Sequence, residues 1–155
     1  MSSSKYSTIR WGICGTGKIA SDFTTAIRQL PDVQIVAVGS RDQKHADEFG
    51  QKFNIGHKFA SYEELAVCPE VDVVYVAVPN SEHKRVCCMM LSHGRNVLCE
   101  KPLTCNQKEA QEIVDTAAKE KRMFVEGNEQ TTAVGSRLES SAGSPRKKAP
   151  ILFRV

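Results

Sequence analysis

Four short stretches of this 155-residue chain hold residue types able to do chemistry. The first is Gly12-Ile13-Cys14-Gly15-Thr16-Gly17-Lys18-Ile19-Ala20. Its Gly15-x-Gly17-x-x-Ala20 spacing fits a dinucleotide fingerprint: Gly15 permits a tight turn, Gly17 lets backbone approach a pyrophosphate, and small Ala20 lets helix and strand pack closely. Thr16, Lys18 and Ile19 share this turn and are counted with the cofactor-binding residues. Such a spacing alone is common, and a glycine turn that binds no nucleotide is the alternative. Here it lies between a β-rich run and an amphipathic helix, which is the context the fingerprint requires.

The second stretch is Val38-Gly39-Ser40-Arg41-Asp42. A carboxylate after this strand would bond a ribose 2′-OH, whereas an arginine accommodates a 2′-phosphate. Ser40 and Arg41 therefore favour NADP over NAD through charge-assisted contacts. Asp42 is better used as a helix cap, and a merely solvated Arg41 is the alternative. The third is Pro79-Asn80-Ser81-Glu82-His83, in a loop at the carboxyl edge of a sheet, where ligands bind in open α/β folds. Asn80 is expected at the nicotinamide ribose with His83 nearby. Equally, Ser81 could cap the helix and leave His83 a first-turn residue. The fourth is Cys99-Glu100-Lys101-Pro102, where proline keeps Lys101 out of the helical region. A partly desolvated Lys101 can move a substrate hydroxyl proton, and Glu100 could orient it. A surface ion pair is the alternative.

The elements that must position these stretches follow from periodicity. Thr8–Cys14 reads as the first strand. Ile19, Ala20, Phe23, Ala26, Ile27 and Leu30 form one face of a helix stopped by Pro31. Residues 33–38 form a second strand, and Asp42 caps a helix burying Ala46, Phe49 and Phe53. Ser61-Tyr62-Glu63-Glu64 is a capping box for a third helix. Residues 71–78 form the fourth strand, followed by a helix from about Ser81 that buries Val86, Met89 and Met90 and stops at Gly94. Residues 96–99 form a fifth strand. Asn106 and Glu109 cap a helix facing inward with Ala110, Ile113, Val114, Ala117 and Ala118, and residues 123–125 form a sixth strand. Strands alternating with helices imply parallel pairing and right-handed crossovers, hence a Rossmann-type doubly wound α/β sheet over residues 8–127. Residues 1–7 are polar and are expected to be a disordered N-terminus. Residues 128–155 lose the periodicity, are rich in Ser, Gly and basic groups, and are expected to be disordered.

Charge and composition exclude several functions. The formal net charge is +3, and the excess lies wholly in residues 128–155, which carry Arg137, Arg146, Lys147, Lys148 and Arg154 against Glu129 and Glu139. The remaining residues balance, so no footprint for nucleic acid or an anionic membrane is expected. No run approaches the length of a membrane span and no secretory stretch opens the chain, so a cytoplasmic, reducing setting is expected. The six cysteines then read as thiols, and their spacing makes no zinc site.

Taken together, the glycine turn, the Ser-Arg after the second strand, the Pro-Asn-x-x-His loop and Gly94-Arg95-Asn96-Val97-Leu98-Cys99-Glu100-Lys101-Pro102 resemble the Gfo/Idh/MocA oxidoreductases. Trp11-Gly12-Ile13, Ala20-Ser21-Asp22-Phe23 and Ser61-Tyr62-Glu63-Glu64-Leu65 bring the resemblance nearest to the dihydrodiol and D-xylose dehydrogenase branch of that family. The resemblance covers residues 8–127. It implies NADP-dependent oxidation of a sugar or vicinal diol hydroxyl, with Lys101 as the catalytic lysine. It also implies a second α/β domain that supplies the substrate pocket and a homodimer surface. The resemblance ends after Gly127, so a shortened form is expected, with dimerisation in doubt. The chain would then be either an enzyme or an NADP-binding module without turnover.

Overall fold

The computed structural model describes residues 7–127 and the backbone of Leu152–Phe153. The strands are β1 (Ile9–Cys14), β2 (Val33–Gly39), β3 (His57–Phe59), β4 (Val73–Val76), β5 (Asn96–Cys99), β6 (Phe124–Glu126) and β7 (Leu152–Phe153). They form one sheet in the order β3-β2-β1-β4-β5-β6-β7, and every neighbouring pair is parallel. The helices are α1 (Lys18–Ile27), α2 (Gln43–Phe53), α3 (Tyr62–Val67), α4 (Asn80–Ser92) and α5 (Gln107–Glu120). The order reverses between β1 and β4, which opens a crevice at the carboxyl ends of the strands. Leu152–Phe153 fall in the segment expected to be without structure, yet they pair parallel with β6. The rest of that segment, and residues 1–6, lie outside the described residues.

Apolar patterning explains the two layers. Ile13, Val38 and Tyr75 pack on one sheet face beneath α1 and α2, with Ala20, Phe49 and Phe53. Cys14, Val74, Val76, Val97, Cys99 and Phe124 pack on the other, beneath Leu65 of α3, Val86 and Met90 of α4, and Ile113 of α5. Strands buried on both faces read as continuous apolar runs, which is why β4 is the clearest in the sequence. The expected inner face of α5 is narrower in the structure: Ile113 and Ala117 are buried, whereas Ala118 is exposed.

Helix ends follow local chemistry in most places. Asp42 accepts a hydrogen bond from the His45 amide at 3.2 Å, Ser61 from the Glu64 amide at 3.2 Å, and Asn106 from the Glu109 amide at 3.0 Å, all as expected. Gly94, at φ +79°, follows the last turn of α4. Some boundaries move. Helix α1 ends at Ile27, not Leu30, because the chain tightens into turns before Pro31, with the Leu30 amide bonded to the Ile27 carbonyl at 3.1 Å. Strand β4 is limited to Val73–Val76, although the Asp72 amide before it still bonds the Arg10 carbonyl of β1 at 2.8 Å. Helix α4 begins one residue earlier than Ser81, with Pro79 at its N-cap and no side-chain cap, so Ser81 is not the cap. The third strand has no alternation to reveal it. It forms because residues 57–59 pair with Ala37, Val38 and Gly39.

Candidate functional site

The carboxyl ends of β1, β2 and β4 are tied together by backbone. The Gly15 amide bonds the Gly39 carbonyl at 2.9 Å, and the Ala77 amide bonds the Cys14 carbonyl at 2.9 Å. Gly15 has φ +100°, and a Cβ there would lie 2.6 Å from the Ala77 carbonyl oxygen. Only glycine suits this turn. At Gly17 a Cβ would meet nothing within 4 Å, so the backbone borders open space where a ligand can approach. Gly17 is also the N-cap of α1 and supplies no side-chain cap. The first-turn amides of a helix have no intrahelical acceptor, so those of α1 present donors and partial positive charge to the crevice. In contrast, the N-termini of α2, α3 and α5 are closed by their own side chains.

A crevice of about 580 Å³ occupies this position, lined by Gly15, Thr16, Gly17, Ser40, Arg41, Asp42, His45, Tyr62, Ala77, Val78 and Pro79. The structure thus brings together Gly15, Thr16, Gly17, Ser40, Arg41 and Pro79 from three separate sequence motifs. Lys18 lines a second groove of about 470 Å³ between α1 and α2. Ile19 is exposed on the first turn of α1. Ala20 has no exposed surface, so it acts as the small residue at the helix–sheet seam and not as a contact. Asn80 is exposed on the first turn of α4. Sequence reasoning missed His45 and Tyr62 as lining residues. One lies three residues after the Asp42 cap, the other directly after the Ser61 cap, positions that face the strand ends once the caps are known.

Beside the crevice, the loop carrying Glu100 and Lys101 is trussed by three elements. From β4, the buried Tyr75 hydroxyl donates to Glu100 Oε1, while Phe23 of α1 stacks on the Tyr75 ring at 3.7 Å. Burial and the Glu100 carboxylate push the Tyr75 phenol pKa up, so it remains a donor. Glu100 Oε2 accepts the Lys101 backbone amide at 3.2 Å, so Glu100 shapes the Lys101 backbone. From β6, Glu126 Oε1 accepts the Leu103 amide at 3.0 Å. From α4, His83 reaches three carbonyl oxygens: Val78 at 2.9 Å through Nε2, and Pro102 at 3.0 Å and Leu103 at 2.9 Å through Nδ1.

These contacts decide the protonation of His83. A neutral imidazole has one donor and one acceptor nitrogen, and carbonyls only accept, so both nitrogens here must carry protons. Burial pulls the ring pKa down, but the hydrogen bond with Cys99 and the carbonyls of Leu103 and Val78 carry it up to about 9. Cys99 is displaced below the ordinary thiol value by its bond from Cys87, against burial, and by His83. His83 is 1% exposed. It lies in the first turn of α4 and pins the Pro79 loop to the Pro102 loop, a positioning contact that neither reading of this histidine included. Lys101 is exposed, so the described residues do not supply the desolvation expected for it.

Among the described residues no group of three His, Cys, Asp or Glu side chains could hold a metal. None of their helices is long and apolar enough to cross a membrane. All six cysteines are thiols.

Comparison with known proteins agrees with this geometry. Residues 9–128 match the Gfo/Idh/MocA family model, described as an oxidoreductase family with an NAD-binding Rossmann fold. Among curated proteins, the chain is 50% identical to trans-1,2-dihydrobenzene-1,2-diol dehydrogenase of Danio rerio over 111 residues, which is 70% of this chain and 33% of that protein. The mouse (Mus musculus) enzyme of the same name is 48% identical over 111 residues, with 70% and 33% covered. Among solved structures, an NAD binding oxidoreductase from Klebsiella pneumoniae superposes with a TM-score of 0.74 at 26% identity, covering 78% of this chain and 34% of that one. A 3-ketoreductase from Actinomadura kijaniata in complex with NADP gives 0.73 at 30% identity, covering 77% and 38%. The chain spans about a third of the length of the curated relatives it matches.

Proposed function

Because this chain belongs to the Gfo/Idh/MocA oxidoreductase family, we propose that residues 8–127 are its NADP-binding unit, serving hydride transfer at the carbinol carbon of a sugar such as D-xylose or of a vicinal dihydrodiol. The observation that carries this reading is the crevice in which the uncapped turn of α1 and the Ser40-Arg41 pair face one space. Bound there, the nicotinamide would supply the hydride acceptor. The chain's own residues do the rest. The Gly15–Gly17 backbone and the free amides of α1 hold the diphosphate. Ser40, 6% exposed, and Arg41 hold the 2′-phosphate by charge-assisted bonds. Tyr75, Glu126 and His83 fix the loop that presents Lys101, whose ammonium group exchanges the substrate hydroxyl proton. The six free thiols suit a reducing, cytoplasmic setting.

Lys101→Met is expected to lower NADPH formation from D-xylose or a dihydrodiol, followed at 340 nm, by about 10²–10⁴-fold. Equal rates in the two proteins would remove the role of Lys101. A second reading, a module that binds NADP without turnover, is favoured by the exposure of Lys101, whose side chain lacks the enclosure that proton transfer would use. Titration of NADPH fluorescence separates them, since binding without any turnover selects the module. In the same assay, Arg41→Asp should weaken NADP binding by tenfold or more, on the order of 1.4 kcal/mol, while sparing NAD. Unchanged NADP affinity would mean that Arg41 does not read the phosphate.

A further inference from the structure

His45 has no part in the machinery described above, yet it occupies the boundary between the two cavities. It is the third residue of α2, its amide anchored on Asp42 Oδ1, and its side chain lines the crevice with Ser40 and Arg41. It also lines the groove between α1 and α2, and the two spaces share Thr16, Gly17 and His45. The fixed charges around it cancel. Helix α1 contributes Lys18 and Asp22, α2 contributes Glu48 and Lys52, and the loop after β2 contributes Arg41 and Asp42. Lys52 is further engaged by Ser21 Oγ at 2.8 Å. From α3 comes the phenol of Tyr62, which burial keeps neutral. Three cations thus face three carboxylates, so beyond the partial positive charge of the α1 amides, His45 is the side chain left to tilt the local balance.

We propose that His45 is a specificity-determining residue for the cofactor: its protonated imidazole joins Arg41 on a 2′-phosphate, and loss of that proton narrows the preference for NADP over NAD. This rests on the dinucleotide reading of the crevice and adds a control on which dinucleotide it takes. The ligand's own titration works against the effect, which makes the sign diagnostic. A phosphate monoester gains charge as pH rises past about 6, so a site held by Arg41 alone would prefer NADP slightly more at higher pH.

The experiment is calorimetric titration of the full chain with NADP and with NAD at about pH 6 and about pH 8. In the wild type the ratio of the NAD to the NADP dissociation constant should fall about fivefold to tenfold across that interval. His45→Gln should show a low ratio that is flat or rises with pH. His45→Arg, which keeps its charge throughout, should hold the high ratio at both pH values. A wild-type ratio that stays level or rises, or a His45→Gln protein that follows the wild type, overturns the proposal while leaving the dinucleotide site intact. A wild type that binds neither dinucleotide overturns both.

Discussion

Gly15→Ala is expected to destabilise the protein by about 2–4 kcal/mol and to cut NADP affinity at least a hundredfold. Two causes combine. The backbone sits at φ +100°, where a side chain is strained, and the added Cβ would stand 2.6 Å from the Ala77 carbonyl oxygen. That oxygen cannot yield freely, because the neighbouring Ala77 amide is bonded to Cys14 and locks the end of β4 to β1. Relief therefore requires the strand ends to part, which spoils the floor of the crevice as well as the fold. Gly17→Ala is the matched control. Its Cβ meets nothing within 4 Å, so stability should hold while dinucleotide binding weakens. A urea titration of both variants, with NADP affinity measured alongside, checks the pair. Equal stability of Gly15→Ala and wild type would contradict this account.

His83→Leu should cost about 3–5 kcal/mol, measured by the shift of the denaturant midpoint. Leucine fills much of the volume but leaves the carbonyls of Val78, Pro102 and Leu103 without their donor and Cys99 without its cation. His83→Gln retains one donor and should lose less. The pH dependence has a defined sign. With its pKa raised from 6.5 to about 9, His83 contributes stability that is complete below pH 6.5 and is lost as pH rises through about 9. Cys99, displaced below 9.0, contributes stability that is present above pH 9 and lost as pH falls. Across the interval between, the folded chain keeps on the imidazole the proton that the unfolded chain keeps on the thiol, so the two slopes oppose each other. Cys99→Ala removes one of them. Because Cys99 is also the main cause that raises His83, only the pull of the Leu103 and Val78 carbonyls remains in that variant, which should become modestly less stable as pH rises above 6.5, where the wild type changes little. A slope of the same size in both would show that the two groups do not share a proton.

What the sequence made legible was what is local. The glycine turn, the caps at Asp42, Ser61 and Asn106, and the stop at Gly94 each depend on residues within one turn of one another, so spacing reveals them. The third strand escaped because three residues are too few to show a period, and its pairing with Ala37, Val38 and Gly39 supplies the reason it exists. The contacts that shape the loop at Lys101 are long-range. Tyr75 with Glu100, His83 with Pro102 and Leu103, and Glu126 with Leu103 join residues 19 to 25 apart, on different elements. No periodicity announces them. The same separation explains His83 itself, since its motif suggested a cofactor contact or a bland helix position and only the fold shows a clamp between two loops.

The floor of the crevice is made by residues 15, 39 and 77, brought together through strand pairs whose partners lie far apart in the chain. No fragment ending before residue 77 could therefore complete it, and the unfolded chain offers a dinucleotide nothing comparable. Occupancy should then act as a thermodynamic brake on opening: ligand at a hundred times its dissociation constant adds about 2.7 kcal/mol to the cost of unfolding. Resistance to proteolysis would rise with coenzyme concentration, making the turnover of the polypeptide itself responsive to the coenzyme supply around it.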